Sequence, residues 1–78
     1  MSWYYNIVEH IATVCTRKRY TLELNLVSWE GKLPVLDLRR WERCEDGINA
    51  MKGISFTDQE ARVLRDALTK YLNEKGMQ

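Results

Sequence analysis

The side chains whose type and spacing suit chemistry are aromatic and basic: Trp29 and Trp41 bracket Lys32 and Arg39, and Lys52 follows. Indole faces stack on unpaired bases for about 1–3 kcal/mol per base, and cationic side chains take the phosphates. Together these give sequence-tolerant binding of single strands. Duplex DNA hides its base faces, so such a surface selects unpaired strands. The alternative is that Trp29 and Trp41 form a cross-strand aromatic pair or the core of a protein interface. Arg17-Lys18-Arg19 fits either a solvated turn or a fence along a phosphate track.

Catalytic chemistry has far less to work with. A nucleophile needs a base and an orienting group, and His10, the single histidine, lies among residues suited to strand packing. Cys15, Cys44 and His10 are too few and wrongly spaced for a zinc site. Gly31, Gly47, Gly53 and Gly76 are isolated from one another, so there is no phosphate-cradling loop. Glu45-Asp46 reads as turn chemistry, and Asp58 with Glu60 as acids at a helix N-terminus. The expectation is a binding protein with no enzymatic activity, no small-molecule substrate, no cofactor and no metal.

The elements that must position these residues fit in one domain, residues 1–78. A chain this short buries roughly two-thirds or less of its unfolded surface, so a second copy is a natural supplement to its core. Net charge is only +1, but residues 16–43 carry seven basic and four acidic groups, so the positive excess sits mid-chain. The two cysteines form no Cys-x-x-Cys pair and no secretory segment precedes them, which points to reduced thiols in a cytoplasmic protein. No apolar run approaches the roughly 20 residues that cross a bilayer.

Residues 4–15 are rich in β-branched and aromatic side chains and favour a strand, with a short helix over Asn6 to Val14 as the rival. Tyr20, Leu22, Leu24 and Leu26 alternate with Thr21, Glu23, Asn25 and Val27, the period of a half-buried strand. Glu30-Gly31-Lys32 supplies a turn, and Pro34 precedes a strand from Val35 to about Glu42. A loop containing Asp46-Gly47 leads to a short strand over Met51 to Phe56, so the sheet occupies about 4–56. Thr57-Asp58-Gln59-Glu60 is a capping box with Phe56 able to staple onto Ala61, opening a helix over about 58–75 that Gly76 stops.

This order predicts an α+β fold, β-β-β-β-α. Leu22, Leu24, Leu26, Leu36 and Leu38 should pack against the helix, leaving Glu23, Asn25, Val27, Trp29, Val35, Asp37, Arg39 and Trp41 facing outward. Ala61, Leu64, Leu68, Tyr71 and Leu72 form the apolar stripe of a helix about 27 Å long. Four strands side by side span only roughly 15–19 Å. The last turn should therefore overhang, offering Leu68, Tyr71, Leu72 and Met77 to a partner chain.

Residues 20–72 resemble the positive-cofactor-four family of single-stranded-DNA-binding transcriptional coactivators, above all its compact bacterial branch. The motifs are Glu23-Leu24-Asn25-x-Val27-Ser28-Trp29, Pro34-x-x-Asp37-Leu38-Arg39-x-Trp41 and Lys52-Gly53-Ile54-Ser55-Phe56-Thr57 running into the helix. The resemblance implies a four-stranded antiparallel sheet, one C-terminal helix and a homodimer formed by helices and edge strands. It implies that Trp29 and Trp41 stack on bases and that Lys32, Arg39 and Lys52 contact the backbone, joined by Asn25 and the Arg17, Lys18 and Arg19 turn. Relatives often have two lysines around the turn glycine; here Glu30 replaces one, which weakens phosphate attraction. The acid- and serine-rich regulatory arm of eukaryotic members is absent, and residues 1–15 lie outside the match. Stacking and phosphate contact suit single-stranded RNA as well, and tryptophans anchored in a protein interface would need no nucleic acid at all.

Overall fold

A computed structural model describes residues 4–75. Four strands, β1 (Tyr5–Thr16), β2 (Tyr20–Trp29), β3 (Val35–Cys44) and β4 (Gly47–Phe56), precede one helix, α1 (Asp58–Glu74). The strands form an antiparallel meander in the order β1-β2-β3-β4. The chain therefore has the four-stranded antiparallel sheet and single C-terminal helix that its periodicity and motifs imply. Gly76 and Met77 lie outside the described residues.

β4 begins at Gly47, earlier than the Met51 start expected from alternation. Glu45-Asp46 is a tight hairpin turn between Cys44 and Gly47, not a longer loop. The register shifts between Arg39 and Trp41, so that Met51 and Lys52 together oppose Arg40. That bulge breaks the period of two and hides the strand's first half from a reading by alternation.

β1 departs from simple alternation three times. Register shifts between Ile7 and Glu9, His10 and Ala12, and Thr13 and Cys15 leave Val8, Ile11 and Val14 as the extra residues. Side chains of one face therefore recur every third position, as Ile7, His10, Thr13 and Thr16. Spacing by three is also a helical signal, which is why a helix over 6–14 rivalled the strand. Each bulge adds bend and right-handed twist, and three in succession coil this edge of the sheet.

The coiling inverts the expected distribution of burial. Pairings Leu26↔Leu36 and Leu24↔Leu38 put the leucines on one face, as predicted. That face is only half-buried, and α1 buries none of its residues. The core lies on the opposite, concave face, where Val27, Asn25 and Asp37 are 0% exposed, Trp41 2% and Thr21 4%. Trp41 was expected to point into solvent; instead the sheet folds around it. Arg39 pairs with Glu23, about 20 Å from Trp29 along a flat strand, yet its guanidinium carbon stands 4.5 Å from the Trp29 ring centre. Long side chains close part of that gap and sheet curvature the rest.

Helix α1 starts where the sequence dictates. Glu60 N–H donates to Thr57 Oγ1 at 3.1 Å while Thr57 N–H donates to Glu60 Oε1 at 2.8 Å, completing the capping box. Phe56 and Ala61 line one apolar groove with Val14, Leu24, Leu38 and Leu68. The groove is open: Leu64, Leu68, Tyr71 and Leu72 remain 43%, 58%, 56% and 49% exposed.

Candidate nucleic-acid interface

Asp37 anchors the concave face. Its fully buried carboxylate accepts from Arg39 Nε and Nη2, both at 2.8 Å, and from the Ser55 hydroxyl at 2.8 Å. Trp29 Nε1 donates to Ser55 Oγ at 3.2 Å, and Arg39 Nη1 donates to the Met51 carbonyl at 2.8 Å. Three of the five guanidinium N–H groups are thus engaged while the plane lies against the Trp29 ring. Gly53 makes this close approach feasible, because a Cβ there would collide with the Arg39 Cβ and the Leu38 carbonyl.

A second polar network crosses from β1 to β2. The Asn25 carbonyl oxygen lies 2.7 Å from His10 Nδ1, and its amide donates to Glu23 Oε1 at 3.2 Å. Thr21 donates to Glu23 Oε2 at 2.6 Å, and Thr13 Oγ1 lies 3.0 Å from His10 Nε2. Since Asn25 offers His10 only an acceptor, the imidazole carries a proton on Nδ1. In that tautomer Nε2 accepts from the Thr13 hydroxyl.

Between these networks lies an aromatic cluster. Tyr5 pairs with Trp29 in register, and its ring centre is 5.7 Å from that of Trp29 and 5.2 Å from that of Trp41, tilted by 58° and 57°. Tyr5 and Trp29 keep partial exposure. Trp41 does not, so its ring face is closed to a stacking base in this conformation.

The expected site residues therefore separate into groups. Trp29 and Arg39 come together on the concave face, with Arg39 held by Asp37 rather than open to solvent. Asn25 is buried and serves the His10–Glu23 network, where phosphate cannot reach it. Lys32 is exposed in the β2–β3 turn, at the opposite end of β2 from the exposed Arg17, Lys18 and Arg19. Arg43 joins the latter end, its backbone N–H donating to the Arg19 carbonyl at 3.0 Å. Lys52 is exposed in the β4 bulge opposite Arg40, whose partner on β2 is Leu22 of the leucine face. The pairing does not bring it to Trp29.

Tyr5, Glu23, His10 and Arg43 belong to this face but were not singled out as binding residues. The β1–β2 register reveals Tyr5 as the cross-strand partner of Trp29, and the three bulges hide that register from a count by twos. No family model matches the chain, and no curated protein matches it either. Among the described residues no helix is long and apolar enough to cross a membrane. Cys15 and Cys44 are free thiols.

Proposed function

We propose that the concave face binds single-stranded DNA in a largely sequence-tolerant way, without catalysis. The chain would act as a homodimer in the cytoplasm, in transcription regulation, replication or repair. The observation that carries this reading is the partly exposed Tyr5–Trp29 pair beside the exposed Lys32, with further exposed cations along the sheet. Lys32 stands at one end of β2, and Arg17, Lys18, Arg19 and Arg43 at the other. Such an arrangement offers a base a stacking platform with a cation beside it, and offers phosphates farther along the strand a second group of positive charges. In this reading Arg39 braces Trp29 through Asp37 and Ser55, and Trp41 forms the floor beneath Tyr5.

Titration with oligo-dT tests it through intrinsic tryptophan emission and a competition among single-stranded DNA, duplex DNA and RNA. Quenching with single-stranded DNA as the best competitor is the expected result. Trp29→Ala, with its fold retained, should lose about 1–3 kcal/mol of affinity. Unchanged affinity in that variant would remove the stacking role. Preference for RNA would redirect the reading to the other polymer.

A further inference from the structure

The row of cations along the concave face is interrupted in its middle. Lys32 flanks the Tyr5–Trp29 pair at one end of β2, and Arg17, Lys18 and Arg19 adjoin its other end. Between them strand pairing brings Arg39 to this face, and Asp37 already holds it. His10 stands at the gap. It pairs with Asn25, midway along β2 between Trp29 and Thr21, about 13 Å from either along the strand.

The hydrogen bonds around His10 fix which of its nitrogens changes state. Glu23 Oε1 accepts from the Asn25 amide at 3.2 Å, and an ionised carboxylate only accepts, so the amide nitrogen faces Glu23 and the carbonyl oxygen faces His10. Nδ1 therefore keeps its proton, 2.7 Å from that oxygen, and Nε2 is the nitrogen that gains or loses one. Asn25 is buried, whereas the His10 side chain is 49% exposed and Thr13, 3.0 Å from Nε2, is exposed. The anchored nitrogen is tied to the core and the other lies beside an exposed hydroxyl. In the neutral ring that hydroxyl donates to Nε2. A protonated Nε2 donates to Thr13 Oγ1 instead, and the hydroxyl proton is released for another acceptor. One protonation supplies both a positive charge and a free O–H donor.

The charged neighbours leave that outer side to an anion. Glu23 Oε1 stands 3.5 Å from Nδ1, on the anchored side. On β3 the neighbouring positions hold Asp37 and Arg39, which pair with each other, and β4 opposes them with Ser55 and Gly53, neither charged. Glu9, next to His10 on β1, pairs with Leu26 of the leucine face.

We propose that His10 and Thr13 hold one phosphate of the bound strand midway along the concave face, the imidazolium by its charge and Thr13 by its released hydroxyl proton. The proposal rests on the concave face being a single-strand surface, and it makes binding there depend on pH. Histidine is the side chain whose charge ordinarily changes between about pH 5 and 8, and His10 is the single histidine of the chain. The strand and the proton bind together, so each tightens the other and affinity rises as pH falls.

The test titrates the full chain with oligo-dT at about pH 5.5 and about pH 7.5, on either side of the ordinary histidine midpoint. Thymine has no group that titrates in this interval. Binding about ten-fold tighter at the lower pH is expected, the effect of one hydrogen bond to a charged group. The log-log salt slope should steepen by about 0.7 for the added phosphate contact. His10→Gln, whose amide N–H still reaches Asn25, should bind alike at both pH values. Thr13→Val should keep only part of the gain, and a full gain would remove the hydroxyl from the site. On the unaltered protein, NMR of the one imidazole should show its titration moving to higher pH when oligo-dT is bound, a readout that requires no variant to fold. Equal affinity and salt slope at both pH values, with an imidazole titration unmoved by the strand, would overturn the phosphate site and leave the stacking surface standing. Absence of binding at either pH would overturn both.

Discussion

Asp37 and Arg39 form a two-point ion pair on the core face of the sheet. An arginine two positions from a tryptophan reads as a phosphate contact, but Asp37 Oδ1 and Oδ2 each hold it at 2.8 Å, with side-chain exposures of 0% for the aspartate and 13% for the arginine. Removing one partner of a buried pair leaves the other charge without compensation, typically at a cost of about 3–5 kcal/mol. Asp37→Asn preserves size but removes the charge and replaces one acceptor oxygen with an amide that presents N–H groups to a guanidinium. It should lower unfolding free energy by about 3–5 kcal/mol in urea denaturation at unchanged slope. Pairing Asp37→Leu with Arg39→Met should cost less than Asp37→Asn alone, because replacing both charges removes the desolvation term. A loss under about 1 kcal/mol for Asp37→Asn would mean that water reaches this cluster.

At the scale of elements, what the sequence reveals depends on whether each one keeps its period. β2 alternates without interruption from Tyr20 to Trp29 and is legible, as is the division of the sheet into a leucine face and a mixed face. β1 and the first half of β4 are less so, because bulges change the count, and with it the bend of the sheet. That bend decides which face is the core, so Trp41 and Asn25 are assigned to the right face and given the wrong exposure. Helix α1 is legible for a local reason: its capping box is a contact among four consecutive residues and owes nothing to the sheet. The same independence sets its stability. With no buried residue of its own, α1 relies on Thr57 and Glu60 more than a packed helix would. Thr57→Ala should cost about 1 kcal/mol. The loss should appear as roughly five-fold lower amide-exchange protection within α1, with protection of β2 and β3 unchanged. Uniform loss across the chain would show that helix and sheet unfold as one unit.

The molecule as a whole is more open than its length requires. Its radius of gyration is 14.5 Å, against about 11.5 Å for a compact chain of this size. Between sheet and helix runs an apolar groove that nothing among the described residues fills. Val14, Leu22, Leu24, Leu36, Leu38, Leu64 and Leu68 line it, and Tyr71 and Leu72 extend the stripe along α1. Exposed apolar surface on this scale marks an interaction site. A second copy laying its own helix into the groove offers a matching row of leucines, the self-complementary contact of a two-fold dimer. Such pairing would put the groove inside the assembly and leave both concave faces outside, since the core of each sheet lies on its far side. Leu68→Glu places a charge in the middle of the helical stripe and should convert a dimer to a monomer in sedimentation equilibrium. The emission that Trp29 and Trp41 contribute should stay unchanged, because neither lines the groove. Affinity for a short strand that occupies one face should then change little, whereas a strand long enough for both faces should bind more weakly once the second site is no longer tethered. A wild-type chain that sediments as a monomer at micromolar concentration would rule out the dimer and leave the groove to a different protein.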